Sequence, residues 1–390
     1  MTERKEMAVN PVVQARTAAP ALPPEGPIGV EELEGRGAFS ALGREWDSLL
    51  ARGPSDEVHH RHAFLGAWLD AYGNEGRLRL LVARDGCGRL VGIAPLLERR
   101  RAGFSVLAAP ANDHTPRVEW VLGEDAQGAV EAIWGHLRDR VRWDVLVLRD
   151  VRRDGPTSRL LEQFARRDRH PTGRWESLQS PYLALGAEPC ERRLPSKFLG
   201  NLRRRRRRLA EMGAVSYRCI GPQGEPEAVD SFLEEFFALE AAGWKGRGGT
   251  AIARDARALV FYRRLAHAAL REGWLALRAL DLRGRAVAMQ FGLAHRGVYC
   301  VPKLTYDERV GACSPGQLLL HQVLLECEGG GLSELDFLGP DMPWKRDWRP
   351  AFRLHDWLYV YRPGPVGTAL CAAKHRLKPL TKEALSWLRR

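Results

Sequence analysis

The chain lacks the marks of several well-defined chemistries. Its seven cysteines (87, 190, 219, 300, 313, 327 and 371) are odd in number and scattered, with no Cys-x-x-Cys. Neither a disulfide framework nor a zinc site follows, and a reducing cytoplasm is the expected compartment. No apolar run approaches the ~18 residues of a membrane-spanning helix. There is no Gly-x-Ser-x-Gly, no Walker-type phosphate loop and no Gly-x-Gly-x-x-Gly, so the hydrolase, nucleotidase and dinucleotide-binding signatures are absent. His59, His60 and His62 cluster in sequence, but no acidic or cysteine ligand stands at supporting spacing, and no metal is expected. Residues 1–28, rich in proline and alanine, have no compact apolar segment and read as a disordered leader.

What is present is uneven charge. The 390 residues carry a formal net charge of +12. Between Arg192 and Ala210 there are nine basic residues and no acid; between Arg362 and Arg390 there are seven against one acid, Glu383. The rest of the chain is close to neutral, so two basic patches are attached to an ordinary soluble body. A dedicated DNA-binding role is not expected of such a body.

Periodicity divides the chain into two alternating halves. The segment "EELEGRGAFSALGREWDSLLARG" and "HAFLGAWLDAYG" have helical spacing, the second stopped by Gly73. "LRLLVARDGCGRLVGIAPLLERR" reads as a hairpin about Asp85–Gly88. "VEWVLG", a helix over "AQGAVEAIWGHLRDRV" and a buried strand "WDVLVLRDV" follow. After residue 187 come an arginine-rich helix, two further helices, a three-strand meander ("WLALRALDL", "AVAMQFGLAH", "VYCVPKLTYD"), a helix closed by three glycines, and strands "SELDFLGPD" and "RLHDWLYVYR". The order implies a mixed α/β fold with a weak internal duplication: halves 29–187 and 188–363, then a basic amphipathic tail 364–390.

Four stretches carry candidate chemistry. In "SPGQLLL", Ser314 precedes Pro315 at a first helical position and Gln317 stands three residues on, the spacing of a capping box. With Gly316 this makes a helix start able to hold a phosphate on free amides and the dipole, although a satisfied cap would use one of those donors. "DFLGPDMPWKRDW" places Asp336, Asp341 and Lys345 after a strand: Asp341 is the candidate base for an attacking amine, Lys345 the candidate holder of an anion or developing oxyanion, Asp336 a substrate contact. A solvated loop with tryptophans packed over the core is the competing reading. "GWKGRGG" offers Trp244 and Lys245 as a phosphate or substrate clamp, or only a helix end and a loop. "KLTYD" ends a strand with Lys303 and Tyr306, which face the same crevice or solvent.

Together, "EWDSLL…HHRHAFLGAWLDAYG", "RDGCGRLVGIAPLL", "NLRRRRRRLAEMGAVSYR", "GWKGRGGTAI", "YDERVGACSPGQLLL" and "LDFLGPDMPWKRDW" resemble the acetyltransferases of the GNAT superfamily linked to cellulose or exopolysaccharide biosynthesis. That group is in turn similar to Fem-type aminoacyl transferases. The likeness spans roughly residues 30–362, and the order of the motifs carries it. It implies two GNAT-like α/β halves, each a mostly antiparallel sheet flanked by helices. It also implies acyl-CoA at Ser314, Pro315, Gly316 and Gln317, with Lys345 in the terminal lysine–tryptophan segment; Tyr306, from the strand end, is a further catalytic candidate of the residues themselves.

The expected activity is N-acyl transfer from acetyl-CoA or another acyl-CoA to an amine or sugar-linked acceptor. Two alternatives stay open: an aminoacyl transferase fed by charged tRNA, and a non-catalytic binding protein of the same fold. Six consecutive arginines cannot make an apolar packing face; Leu202 and Leu209, seven apart, leave one narrow stripe to bury. The tail, with Leu370, Leu377, Leu380, Leu385 and Leu388 among basic residues, either docks on its own domain or lies on the anionic inner face of a membrane.

Overall fold

The computed structural model describes residues 26–186 and 188–377. Thirteen strands form one sheet: β1 Gly29–Glu34, β2 Arg77–Arg84, β3 Leu90–Arg101, β4 Phe104–Ala108, β5 Val121–Leu122, β6 Val145–Arg152, β7 Thr172–Ala184, β8 Val215–Ile220, β9 Leu277–Leu282, β10 Arg285–His295, β11 Val298–Tyr306, β12 Glu334–Asp336 and β13 Ala351–Tyr361. Their order is β1-β2-β3-β4-β6-β13-β7-β12-β11-β10-β9-β8, with β5 on β3.

That order is symmetric about the β13–β7 pair. Each half runs through four antiparallel strands to a parallel step, β4 beside β6 in the first and β11 beside β12 in the second. Each half then sends its last strand across: β13 pairs β6, and β7 pairs β12. The duplication read from element order is therefore a property of the sheet, and the sheet is continuous through both halves.

Local chemistry accounts for most elements. The β2–β3 turn is held by Asp85, whose carboxylate accepts from the amides of Cys87 and Arg89 at 3.0 and 2.9 Å. Apolar faces of helices His62–Tyr72, Pro226–Ala242 and Ala256–Arg271 pack together in a core that spans both halves, around Trp46, Trp68, Phe236 and Phe261. Leu202 and Leu209 are buried, and the arginines between them ride on helix Ser196–Glu211 as that stripe requires.

One reading is corrected. The opening "EELE" of the first segment read as helical is not helical: residues 29–34 are the edge strand β1, and helix begins at Gly35. Its register with β2 is supported by ion pairs of Glu31, Glu32 and Glu34 with Arg84, Arg79 and Arg77. Such cross-strand pairs leave no trace in local periodicity.

The first turns of the tail dock on the sheet. Leu370 and Cys371 of helix Pro365–Ala372 pack against Val145, Tyr359 and Tyr361, and His375 meets the Tyr361 hydroxyl at 3.0 Å. Leu380, Leu385 and Leu388, like the leader up to residue 25, lie outside the described residues.

Several histidines are buried in neutral form. Burial lowers His60, His114 and His355 to about 4, whereas burial raises Glu119 to about 7. In the unfolded chain the histidines bind protons below about 6.5, so their stabilising contribution is present above that pH and fades as pH falls. Glu119 acts with opposite sign over the same range and offsets one of the three. The net uptake on unfolding, averaging about 1.5 protons, predicts a loss on the order of 3 kcal/mol between pH 6.5 and 5, readable as a falling urea midpoint. A midpoint independent of pH over that range would contradict this assignment.

Candidate functional site

β11 and β12 run parallel for three residue pairs only, from Val298↔Glu334 to Cys300↔Asp336. Beyond Asp336 the chain turns away while β11 continues to Tyr306. The register between β10 and β11 also slips, Phe291 pairing Lys303 and Leu293 pairing Cys300, which leaves Val301 and Pro302 facing a single residue of β10. Pro302 has no N–H to give a ladder, so the bulge falls where proline is tolerated. The result is a crevice beyond the carboxyl ends of two parallel strands, a favoured place for ligands in such sheets.

A cavity of about 590 Å³ fills it, within the range that holds small ligands. One wall is Val301–Tyr306; the opposite wall is the loop Phe337–Pro340 with Met342, Trp344 and Lys345. Ser314, Gly316, Gln317, Lys245 and Arg205 complete its lining, and half-exposed Trp244 with Met342 marks its opening.

Among the sequence candidates, Tyr306, Ser314, Gly316, Gln317, Trp244, Lys245, Lys303 and Lys345 line this one cavity. Pro315 is buried beneath them at the first position of helix Pro315–Gly329. Asp336 and Asp341 do not line it. Asp336 is fully buried between Arg117 and Arg353, so it cannot serve as a substrate contact. Asp341 is forked by Arg346, which holds its carboxyl below the usual range.

The helix start also differs from a capping box. Ser314 is left-handed, with φ 47°, and its side chain makes no cap hydrogen bond. Gln317 does not reach back to it: its Nε2 donates to the Trp344 carbonyl at 3.1 Å, and its Oε1 accepts from Trp348 Nε1 at 2.6 Å. The indole and the loop carbonyl compete for the glutamine and win. The amides of Gln317 and Leu318 both turn onto the Ser314 carbonyl, at 3.0 and 3.2 Å, and Pro315 has none. Gly316 thus supplies the first-turn amide left for a ligand. A Cβ there would lie 3.4 Å from Leu304 and 3.6 Å from Tyr306, so alanine fits and anything larger presses on the wall.

The lysines sort into two kinds. Lys245 is a brace: its ammonium donates to Glu240 at 2.7 Å and to the Leu304 carbonyl at 3.0 Å. Glu240, almost fully buried, accepts from the Ile252 amide with its other oxygen. The turn that brings Lys245 back requires Gly246, where a Cβ would fall 1.8 Å from the Ala241 carbonyl oxygen. Lys345 is a second brace, donating to the carbonyls of Leu338 and Pro340 at 2.6 and 2.8 Å. Burial lowers it to about 8 against the pull of Asp336 and Asp341.

Lys303 is different. It makes no hydrogen bond or ion pair among the described residues, and its Nζ lies 5.7 Å from the Tyr262 ring. Burial, followed by the charge of Lys245, brings it down to about 8. Arg205 is likewise without a carboxylate among the described residues, and it is the one arginine of the run that faces the cavity. The Leu202–Leu209 stripe marks Arg205 and Arg206 as its flanks; which flank faces the crevice depends on the helix's seat against β11 and the loop, and no local pattern shows that.

The histidines expected not to bind metal are engaged separately: His59 with Glu57, His60 with the Ser55 carbonyl, His62 with the Phe39 carbonyl. Among the described residues no group of three or more His, Cys, Asp or Glu is placed to hold a metal ion.

Comparison with known proteins bears on the fold that frames this cavity. Residues 196–346, which supply most of the cavity, match the model of the acetyltransferase (GNAT) domain. Among solved structures, FemX is similar over 85% of this chain and 98% of its own, with a TM-score of 0.58 and 10% identity. The C-terminal DUF2156 domain of a protein described as a lysylphosphatidylglycerol synthetase, from Agrobacterium fabrum, is similar over 86% of this chain and 96% of its own, at TM-score 0.52 and 12% identity. At these identities the likeness is one of fold. No curated protein sequence matches the chain.

Replacing Lys345 by methionine should leave the carbonyls of Leu338 and Pro340 without their donor and cost about 2–3 kcal/mol, measured by urea unfolding. Undiminished stability with lost turnover would return Lys345 to a direct role on substrate.

Proposed function

We propose that the protein is an N-acyltransferase that moves an acyl group from an acyl-CoA to an amine acceptor in the crevice between β11 and β12. The observation that carries this reading is the meeting of three unsatisfied groups in one ligand-sized cavity: the Gly316 amide, the unpaired Lys303 amine and the edge of β11 beyond Cys300, which has no strand partner on the β12 side. Those groups suit a phosphate-bearing thioester: the Gly316 amide and helix dipole take phosphate, and Arg205 adds a cation to the lining. Acyl-CoA, when bound, supplies an acyl carbon activated by a thiol leaving group.

The chain's own groups do the rest. Neutral Lys303 accepts the proton that the acceptor amine sheds as it forms the new C–N bond. Unpaired amides along Val301–Tyr306 steady negative charge on the acyl oxygen, an interaction worth about 3–4 kcal/mol per donor where water is excluded. The Tyr306 hydroxyl gives a proton to the departing thiolate. Asp341 has no part in this scheme, since Arg346 holds its carboxylate. A sugar-linked amine acceptor, of the kind the exopolysaccharide group handles, fits the reading.

The runner-up, an aminoacyl transferase fed by charged tRNA, draws on the exposed arginines of 203–208. Calorimetric titration with acetyl-CoA against total tRNA separates the two donors.

If neutral Lys303 is the base, kcat/KM should rise with pH and level above about pH 8, and Lys303→Met should lower kcat by about 100-fold or more. A rate that instead falls above pH 8 would make Lys303 an anion holder. Near-normal turnover in the methionine variant would place the base elsewhere.

A further inference from the structure

Helix Ser196–Glu211 buries only Leu202 and Leu209 among its arginine turns. Arg203, Arg204, Arg206, Arg207 and Arg208 are exposed, and none of them makes a hydrogen bond or ion pair among the described residues. Elsewhere in the same half arginines hold carboxylates, as Arg218 does Asp281 and Arg263 does Glu234. At about 100° per residue, Arg203, Arg204, Arg207 and Arg208 point farthest from the buried stripe.

The cavity opening carries a second, independent feature. Trp244 and Met342, which line the same cavity as Arg205, are 50% and 37% exposed. A solvated surface has no use for a tryptophan and a methionine at one opening beside a ridge of unpaired cations. A small anionic substrate held inside would need Arg205 but not the four outward arginines. A nucleic acid would use the arginines and could stack on Trp244, but it gains nothing from Met342. A lipid surface uses all of them: guanidinium groups meet headgroup phosphates while apolar tips enter the acyl boundary.

We propose that the cavity opening docks on an anionic lipid surface, with Arg203, Arg204, Arg207 and Arg208 on headgroup phosphates and Trp244 and Met342 at the acyl boundary. This surface is distinct from the basic tail and independent of the acyl donor.

Co-sedimentation of the full chain with mixed phosphatidylcholine–phosphatidylglycerol vesicles, pure phosphatidylcholine vesicles and soluble heparin tests it. The full chain should bind the mixed vesicles, weaken as salt rises, and ignore the neutral ones. Changing Arg203, Arg204, Arg207 and Arg208 together to Gln should lower vesicle affinity by roughly 30-fold or more. Trp244→Ser with Met342→Ser should weaken vesicle binding several-fold and leave heparin binding unchanged. Two results would overturn the proposal: a quadruple arginine variant, shown folded by its thermal melt, that sediments like the parent, or total tRNA bound more tightly than the mixed vesicles.

Discussion

Arg117 reaches from the first half into the seam where β11 and β12 part, and it is almost completely buried there. Its guanidinium donates to Asp336 and, at 2.7 Å, to Glu57. Burial opposes the charge on Glu57, yet Arg117 and His59 hold that carboxyl well below its ordinary value. Asp336 also meets Arg353 at 3.4 Å, and its other oxygen accepts from the Leu338 amide at 2.8 Å. Leu338 and Gly339 both follow with positive φ, 52° and 59°. The ion pair therefore ends the parallel pairing, turns the loop, and hands the Leu338 carbonyl to Lys345. Removing one partner of such a buried pair typically costs 3–5 kcal/mol, because the other charge is left uncompensated. Here it would also release the wall of the cavity.

The same logic separates charges that build the site from charges that can act in it. Lys245 and Lys345 each spend their hydrogen bonds on backbone carbonyls of opposite walls, Leu304 on one side and Leu338 with Pro340 on the other. Each holds its own wall in place. Lys303 and Arg205 line the same cavity without such partners and remain for a ligand. Residue type alone does not make this distinction; it comes from which carbonyls the turn at Gly246 and the turn at Leu338 bring within reach.

Much of the fold was legible in sequence because its signals are local. The Asp85–Gly88 turn, the stop at Gly73 and the Pro315 helix start all follow from short-range chemistry, and Leu202 with Leu209 announced the face of the arginine helix. The cluster of Lys303, Tyr306, Gly316 and Gln317 was likewise visible as strand end and helix start. What escaped was fixed by distant partners. β1 depends on ion pairs with β2, and the placing of β13 beside β6 depends on an exchange of last strands between halves. Asp336 reads locally as a substrate contact, but Arg117, 219 residues earlier, lies against it in the interior. Gln317 had the spacing of a cap, but Trp348 and the Trp344 carbonyl take its side chain.

The central claim is that ligand enters where β11 and β12 part. Hydrogen–deuterium exchange of the full chain with and without acetyl-CoA tests it directly, because amides contacted by the donor should slow while those elsewhere stay unchanged. The account predicts protection at residues 301–306, 315–320 and 337–345. Protection confined to another part of the sheet, with these three segments unaffected, would contradict it.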